Sequence, residues 1–255
     1  MLHAFTRNKS RLYRRYLGHR DHNEKRVPEE DEITALIMGP LAFLPASEIG
    51  RFWMALVRWG NPKIVFPKGA VTHAEMAFWP KRRNIEPDML VTLSWGDDHQ
   101  LLLVEFKWRA PLSGDDQLYK QWQEYLSHGE REHAWHLFIA PDTTEGSKAI
   151  MREDVWDGRL LLRTWFDVLN TLHHLNELNT THLHRWSEEV IGCLAKLGIR
   201  PFRGFKHLSA VEFTSPRGFV FWRGFEGFAQ MVTPVIPPLN ISQQAFFTVT
   251  GGLCG

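Results

Sequence analysis

Cysteine is almost missing from this chain. Cys193 and Cys254 are its two thiols in 255 residues, and nothing near either has metal-ligand spacing. A disulfide-stapled scaffold and a thiolate metal site are both excluded as organising principles. Long apolar runs are missing too: none reaches membrane-spanning length, and the N-terminus carries no signal-peptide core. The expectation is a cytoplasmic protein with no membrane partner. Charge of one sign is not in excess, since 30 Lys and Arg stand against 29 Asp and Glu, a formal net charge of +1. Global attraction to a polyanion is therefore excluded, and any electrostatic footprint must be local. No helicase or ATP-binding motif occurs, so an energy-driven step would need another protein.

What is present reads as an ordinary globular chain, 44% hydrophobic and 23% charged. Its length suits one sizeable core, or one domain with a smaller appendage. The most informative stretch runs from Ile85 to Tyr125. Two apolar strands flank Gly96-Asp97, a good two-residue hairpin turn. Centring the hairpin there makes the numbers of opposed residues sum to 193, so Asp88 faces Glu105 and Glu86 faces Lys107. Opposed residues share a face, as do residues two apart, so Glu86, Asp88, Glu105 and Lys107 converge. The other face then carries Ile85, Met89, Val91, Leu93, Leu102, Val104, Phe106 and Trp108. Slipping the register by one residue would scatter the carboxylates and break that apolar surface.

Carboxylates gathered this closely repel one another unless a cation neutralises them. Mg²⁺ typically takes one or two carboxylates plus water and substrate phosphate. A lysine beside them can orient water or stabilise charge on a phosphate. The plain alternative is a salt-bridge ladder on an exposed sheet face.

Pro87-Asp88, followed by Glu105-Phe106-Lys107 at the end of a second apolar strand, resembles the PD-(D/E)XK nuclease superfamily. Gln117, and the Q-x-x-x-Y spacing of Gln121 and Tyr125 on the next helix, is similar to the motif of its RecB-like branch. The resemblance covers roughly residues 28–165. It implies an α/β fold, a mixed β-sheet flanked by helices with a restriction-endonuclease-like αβββαβ core. It also implies a metal-dependent nuclease acting on DNA, with Mg²⁺ as cofactor and Mn²⁺ able to substitute. Asp88 and Glu105 would hold the metal, Lys107 would position or activate water, and Gln117 would orient substrate. The superfamily usually adds an acid from its first core helix; Glu30 is the choice here, with Glu29 close behind. Cleavage in defence against foreign DNA or in repair fits this reading. The alternative is a non-catalytic nucleic-acid-binding or assembly subunit on the same fold.

The rest of the chain divides around that core. Residues 1–27 form a basic arm, either tracking phosphates or simply solvated. Pro28 opens a helix with Glu29, Glu30, Asp31 and Glu32 in its first turn, where the helix dipole favours acids. Ile33, Leu36, Ile37 and Leu41 make its buried stripe. Residues 46–60 read as a second helix started by Ser47, and 71–79 as a strand carrying Glu75, followed by the basic turn Lys81-Arg82-Arg83-Asn84. Asp115 or Asp116 is placed to cap the helix of Gln117. Strands are expected at 133–140 and 160–163. Residues 166–255 form an extension, first helical, then rich in Phe, Gly and Arg. Its repeated FRGF and FWRGFEGF segments suit either stacking on bases or association, with copies of itself or in a multiprotein complex. The paired histidines His173, His174, His182 and His184 lack acids or cysteines at ligand spacing.

Overall fold

The computed structural model describes residues 1–18, 29–114, 116–177 and 181–200. What the sequence predicts for residues 19–28, including Pro28, for Asp115 and for the aromatic segment 201–255 lies outside the described residues. The chain opens with two short helices, α1 (Leu2–Thr6) and α2 (Tyr13–Tyr16), then α3 (Glu29–Met38), a 3₁₀ turn (Pro40–Phe43) and α4 (Ala46–Arg58). Three strands follow, β1 (His73–Phe78), β2 (Met89–Trp95) and β3 (Asp98–Phe106). After them come α5 (Gln117–Lys120), which widens into a π-helical turn (Gln121–Tyr125), then α6 (His128–Glu132) and β4 (Ala134–Ala140). Helix α7 (Thr144–Arg152), β5 (Leu160–Thr164), α8 (Trp165–Glu177) and α9 (Thr181–Lys196) complete the described chain.

The five strands form one sheet in the order β1-β2-β3-β4-β5. β1, β2 and β3 are antiparallel neighbours, whereas β4 and β5 join in parallel, each after a helical crossover. Met89 pairs with Val104 and Trp95 with Asp98, the register expected from the sum of 193. Gly96 turns the hairpin at φ 66°, a left-handed backbone that glycine adopts without strain.

Both faces of the sheet are covered. Met89, Val91 and Leu93 of β2, Leu102, Val104 and Phe106 of β3, and Leu137 and Ile139 of β4 pack into one large cluster. Phe52, Trp53 and Leu56 of α4 and Val168, Leu169 and Leu172 of α8 close it. On the opposite face Leu90, Leu101, Leu103 and Phe138 meet Leu118, Trp122 and Tyr125 of the α5 segment, with Ala149 of α7. Gly146 lets α7 lie close, since a Cβ there would stand 2.4 Å from Leu162 and 2.9 Å from Phe138.

Four expectations change. Ile85 packs with the second cluster, not the first, because β2 begins only at Met89 and Ile85 instead bridges Arg82 across a turn. The boundary after residue 27 dissolves in the described part of the arm: Leu2, Phe5 and Tyr16 are buried in the main cluster. Burying a side chain such as Phe5 contributes about 2–3 kcal/mol, enough to hold the short helix α1 against the core. The boundary after residue 165 dissolves as well, because Val168, Leu183, Trp186 and Val190 belong to that same cluster. Finally, α4 starts after Pro45 rather than on a Ser47 cap. Among the described residues no helix is long and apolar enough to cross a membrane.

Candidate functional site

The parallel addition of β4 leaves the C-terminal end of β3 at the rim of the sheet's hydrogen-bonded region. Beyond Phe106, the Lys107 N–H still donates to Ile139 O at 2.8 Å, so the backbone stays extended for one more residue. Alternation then sends Phe106 and Trp108 into the apolar cluster and Glu105 and Lys107 to the other face. Phe106 stacks on Trp165 with ring centroids 5.6 Å apart, and the Trp165 indole donates to Lys107 O at 2.8 Å. Trp108 donates through its indole to Tyr16 O at 3.0 Å. The polar pair is thus fixed from behind by aromatic side chains of distant origin.

An open cleft of about 540 Å³ lies over this strand end. Glu30, Asp31, Glu86, Asp88 and Glu105 line it, with Lys107 the one lining cation among the described residues and Trp79, Ser113 and Gln117 completing the wall. Of the residues expected to converge, Asp88 accepts from the Phe106 N–H at 2.6 Å through Oδ2. Glu105, almost wholly buried, accepts from Lys107 Nζ at 2.8 Å and Gln117 Nε2 at 2.5 Å through Oε1. Its Oε2 accepts from Gln121 Nε2 at 2.6 Å. Glu30, rather than Glu29, reaches this strand end: Oε2 lies 3.3 Å from Lys107 Nζ and Oε1 accepts from the Trp108 N–H at 2.9 Å. Glu86 is at the exposed rim. Glu75 is exposed on the edge strand β1 and takes no part. Asp116 stands at the start of α5, but its side chain makes no capping bond there.

Charge in the cleft is unbalanced. Burial, and then the neighbouring Glu105 carboxylate, push Asp88 up to about 8, against the opposing pull of the Phe106 N–H and Lys107. Burial alone would lower the Lys107 ammonium, but Glu105, Glu30 and Asp88 together carry it above the ordinary lysine range. Lys107 therefore stays a cation in this arrangement and serves as a donor, not a base. Asp88 is thereby held largely protonated near neutrality.

Comparisons with protein-family models, curated proteins and solved structures return no match. The geometry must speak for itself.

Among the described residues, no group of three or more His, Cys, Asp or Glu stands close enough to hold a metal ion. Glu30 in particular has one oxygen on Lys107 and the other on the Trp108 backbone. Asp88 has one oxygen on the Phe106 N–H, and both oxygens of Glu105 likewise have protein donors. Two carboxylates, completed by water and phosphate oxygens, are enough for Mg²⁺.

Gln121 stands closer to the chemistry than its place in the sequence motif suggests. It is buried, bonded to Glu105, and backed by His136 and Trp156. Nothing in the pattern around His136 marks it, because HAWHLFIA reads simply as a buried strand. Periodicity offered one clue, since His136 falls on the same face of β4 as Ala134, Phe138 and Ala140. That is the face beneath the α5 segment.

Proposed function

We propose that this chain is a metal-dependent nuclease that hydrolyses phosphodiester bonds in DNA, on a restriction-endonuclease-like core of the PD-(D/E)XK type. The observation that carries the reading is the meeting of Asp88, Glu105 and Lys107 at one strand end beneath an open acidic cleft. Asp88 and Glu105 would hold Mg²⁺, which when bound supplies Lewis acidity toward a phosphoryl oxygen and toward water. Glu30 anchors Lys107 and the Trp108 backbone from α3. The Lys107 ammonium, aimed by Glu105 and Glu30, donates to water or to a non-bridging oxygen as negative charge grows on it in the transition state. Gln117 and Gln121 hold both oxygens of Glu105 and so fix the acid's direction before substrate arrives.

Linear and circular plasmid incubated with and without Mg²⁺ test this reading together with its need for ends. Cleavage only with Mg²⁺, lost in folded Asp88→Asn and Lys107→Met proteins, is the expected result. Cleavage by those variants at the parent's rate would remove it. One observation favours a second reading, a DNA-binding subunit without turnover: both Glu105 oxygens already have protein donors. Binding of plasmid without cleavage in the same assay would select that reading.

A further inference from the structure

Glutamine amides are ambiguous, because rotating one by 180° exchanges its donor and acceptor. Both glutamines on Glu105 need their NH₂ turned toward the carboxylate. For Gln117 the choice is made by backbone: the Ser113 N–H donates to its Oε1 at 2.7 Å. For Gln121 the neighbour of Oε1 is His136 Nε2, at 3.2 Å. Imidazole can donate or accept there, according to its tautomer. The Trp156 indole N–H lies 3.0 Å from His136 Nδ1, and an indole N–H can only donate. Nδ1 must therefore accept, and the hydrogen sits on Nε2.

We propose that His136 is a positioning residue, held by Trp156 in its Nε2–H tautomer, which locks the Gln121 amide with its donor on Glu105. The inference rests on the nuclease reading for its catalytic meaning but not for its hydrogen-bond order. The ring is fully buried, stacked 6.0 Å from Trp122 at an interplanar angle of 6°, and tilted against Trp156 at 6.2 Å. Gln121 and Trp122 from the helical layer and Trp156 before β5 face it, all uncharged. Burial pulls its pKa down to about 3, so protonation does not disturb the order near neutrality. Were the other tautomer present, Gln121 would turn its carbonyl oxygen on Glu105, oxygen against oxygen in a site closed to water. The π-helical turn that begins at Gln121 fits the same picture, since such turns recur where a helix must present a side chain off its regular position.

The test uses the full chain labelled with ¹⁵N-histidine and long-range ¹⁵N–¹H correlation, the His136 signal being the one absent from the His136→Gln protein. Hydrogen on Nε2 with a bare Nδ1, unchanged from pH 5 to 8, is expected; hydrogen on Nδ1 overturns the proposal. His136→Leu should lower kcat and Mn²⁺ affinity by about 10–100-fold, the usual effect of losing an outer partner of a metal ligand, with KM for DNA unchanged. His136→Gln, which can donate at the same place, should restore most of the loss, and Trp156→Phe should fall between the two. Equal losses of melting temperature in the Leu and Gln proteins, with the parent's kcat and Mn²⁺ affinity in the folded fraction, would reduce His136 to packing and overturn the proposal. A parent inert with Mg²⁺ would remove the nuclease reading instead, and the ring-nitrogen signals would still decide the lock.

Discussion

Among the described residues each face of the sheet buries one Lys or Arg side chain, and the two are neutralised in opposite ways. On the apolar face Arg163 of β5 donates to Leu56 O at 2.9 Å, Val57 O at 2.7 Å and Leu162 O at 2.9 Å. Leu56 and Val57 lie at the end of α4, so the guanidinium satisfies the carbonyls that a helix C-terminus leaves open. Its hydrogen-bond partners are fixed dipoles, with the Asp167 carboxylate acting on it only at longer range. On the other face Lys107 meets Glu105 and Glu30, groups that titrate, beside an Asp88 that burial and Glu105 hold largely protonated. A buried charge closed by backbone is architecture, and one closed by titratable acids beneath an open cleft is where the proposed cation would sit.

The sharpest way to break this distinction is to remove both charges. Lys107→Met should lower Mg²⁺-dependent cleavage by about 10²–10³-fold, as loss of a positioned donor to developing charge does. Arg163→Met should leave cleavage per folded molecule unchanged and reduce unfolding free energy by about 2–3 kcal/mol, because it orphans buried carbonyls at the helix end. Urea denaturation and a plasmid assay on both variants check the crossing pattern. Equal behaviour of the two would abolish the comparison.

A second contrast separates the glutamines. Gln121 is buried between Glu105 and His136, whereas Gln117 lines the cleft, where water can take its place. Gln121→Leu leaves an acceptor and a donor unpaired and should lower stability by about 2–3 kcal/mol. Gln117→Leu should change it by less than about 1 kcal/mol, measured by the same denaturation.

The next effect depends on pH. His136 is held neutral with a folded pKa of about 3, far below the ordinary histidine value, because burial penalises its charged form. Above the ordinary value of about 6.5 both folded and unfolded chains carry it neutral, and its contribution is fully present. As pH falls through that value toward 3 the unfolded chain takes up a proton that the folded one refuses, so stability is lost. The slope from this residue should reach about 1.4 kcal/mol per pH unit, and His136→Gln should remove it from stability profiles taken between pH 4 and 7.

Much of the fold was legible because it obeys local rules. The Gly96-Asp97 turn and strict alternation dictated the β2–β3 register, and that register alone brought Asp88, Glu105 and Lys107 together. The acids of α3 were legible as a helix start. Which one reaches the strand end is a matter of rotation against Tyr16 and Trp108, contacts from 16 or more residues away that no local pattern encodes. Ile85 deceived the alternation because Pro87 and the Arg82 bridge interrupt the strand before it. His136, Trp156 and Trp165 were invisible as site residues, since each is an ordinary core residue by pattern and acquires its role only through a partner on another element.

The basic turn after β1 belongs to neither kind of buried charge, which makes it a fine discriminator between them. Arg83 and Asn84 both have left-handed backbones, φ 51° and 62°, in a tight two-residue reversal closed by Arg82 and Ile85. Asparagine suits such a position, but arginine sits there at a cost of about 1 kcal/mol. The compensations are an Arg83 Nη1 bond to Glu124 O at 3.1 Å and the stacking of Arg82 over Tyr125 at 5.0 Å. Arg83→Asn relieves the backbone and gives up one exposed hydrogen bond, so stability should rise, by less than about 1 kcal/mol. If the turn is architecture like Arg163, DNA affinity should be indifferent to that change. If it lies along the path of the substrate, affinity should weaken equally for all sequences and the salt slope of binding should fall by about 1, the signature of one lost phosphate contact. The nuclease reading predicts the second outcome, because the turn joins Trp79 to Glu86, two walls of the same cleft.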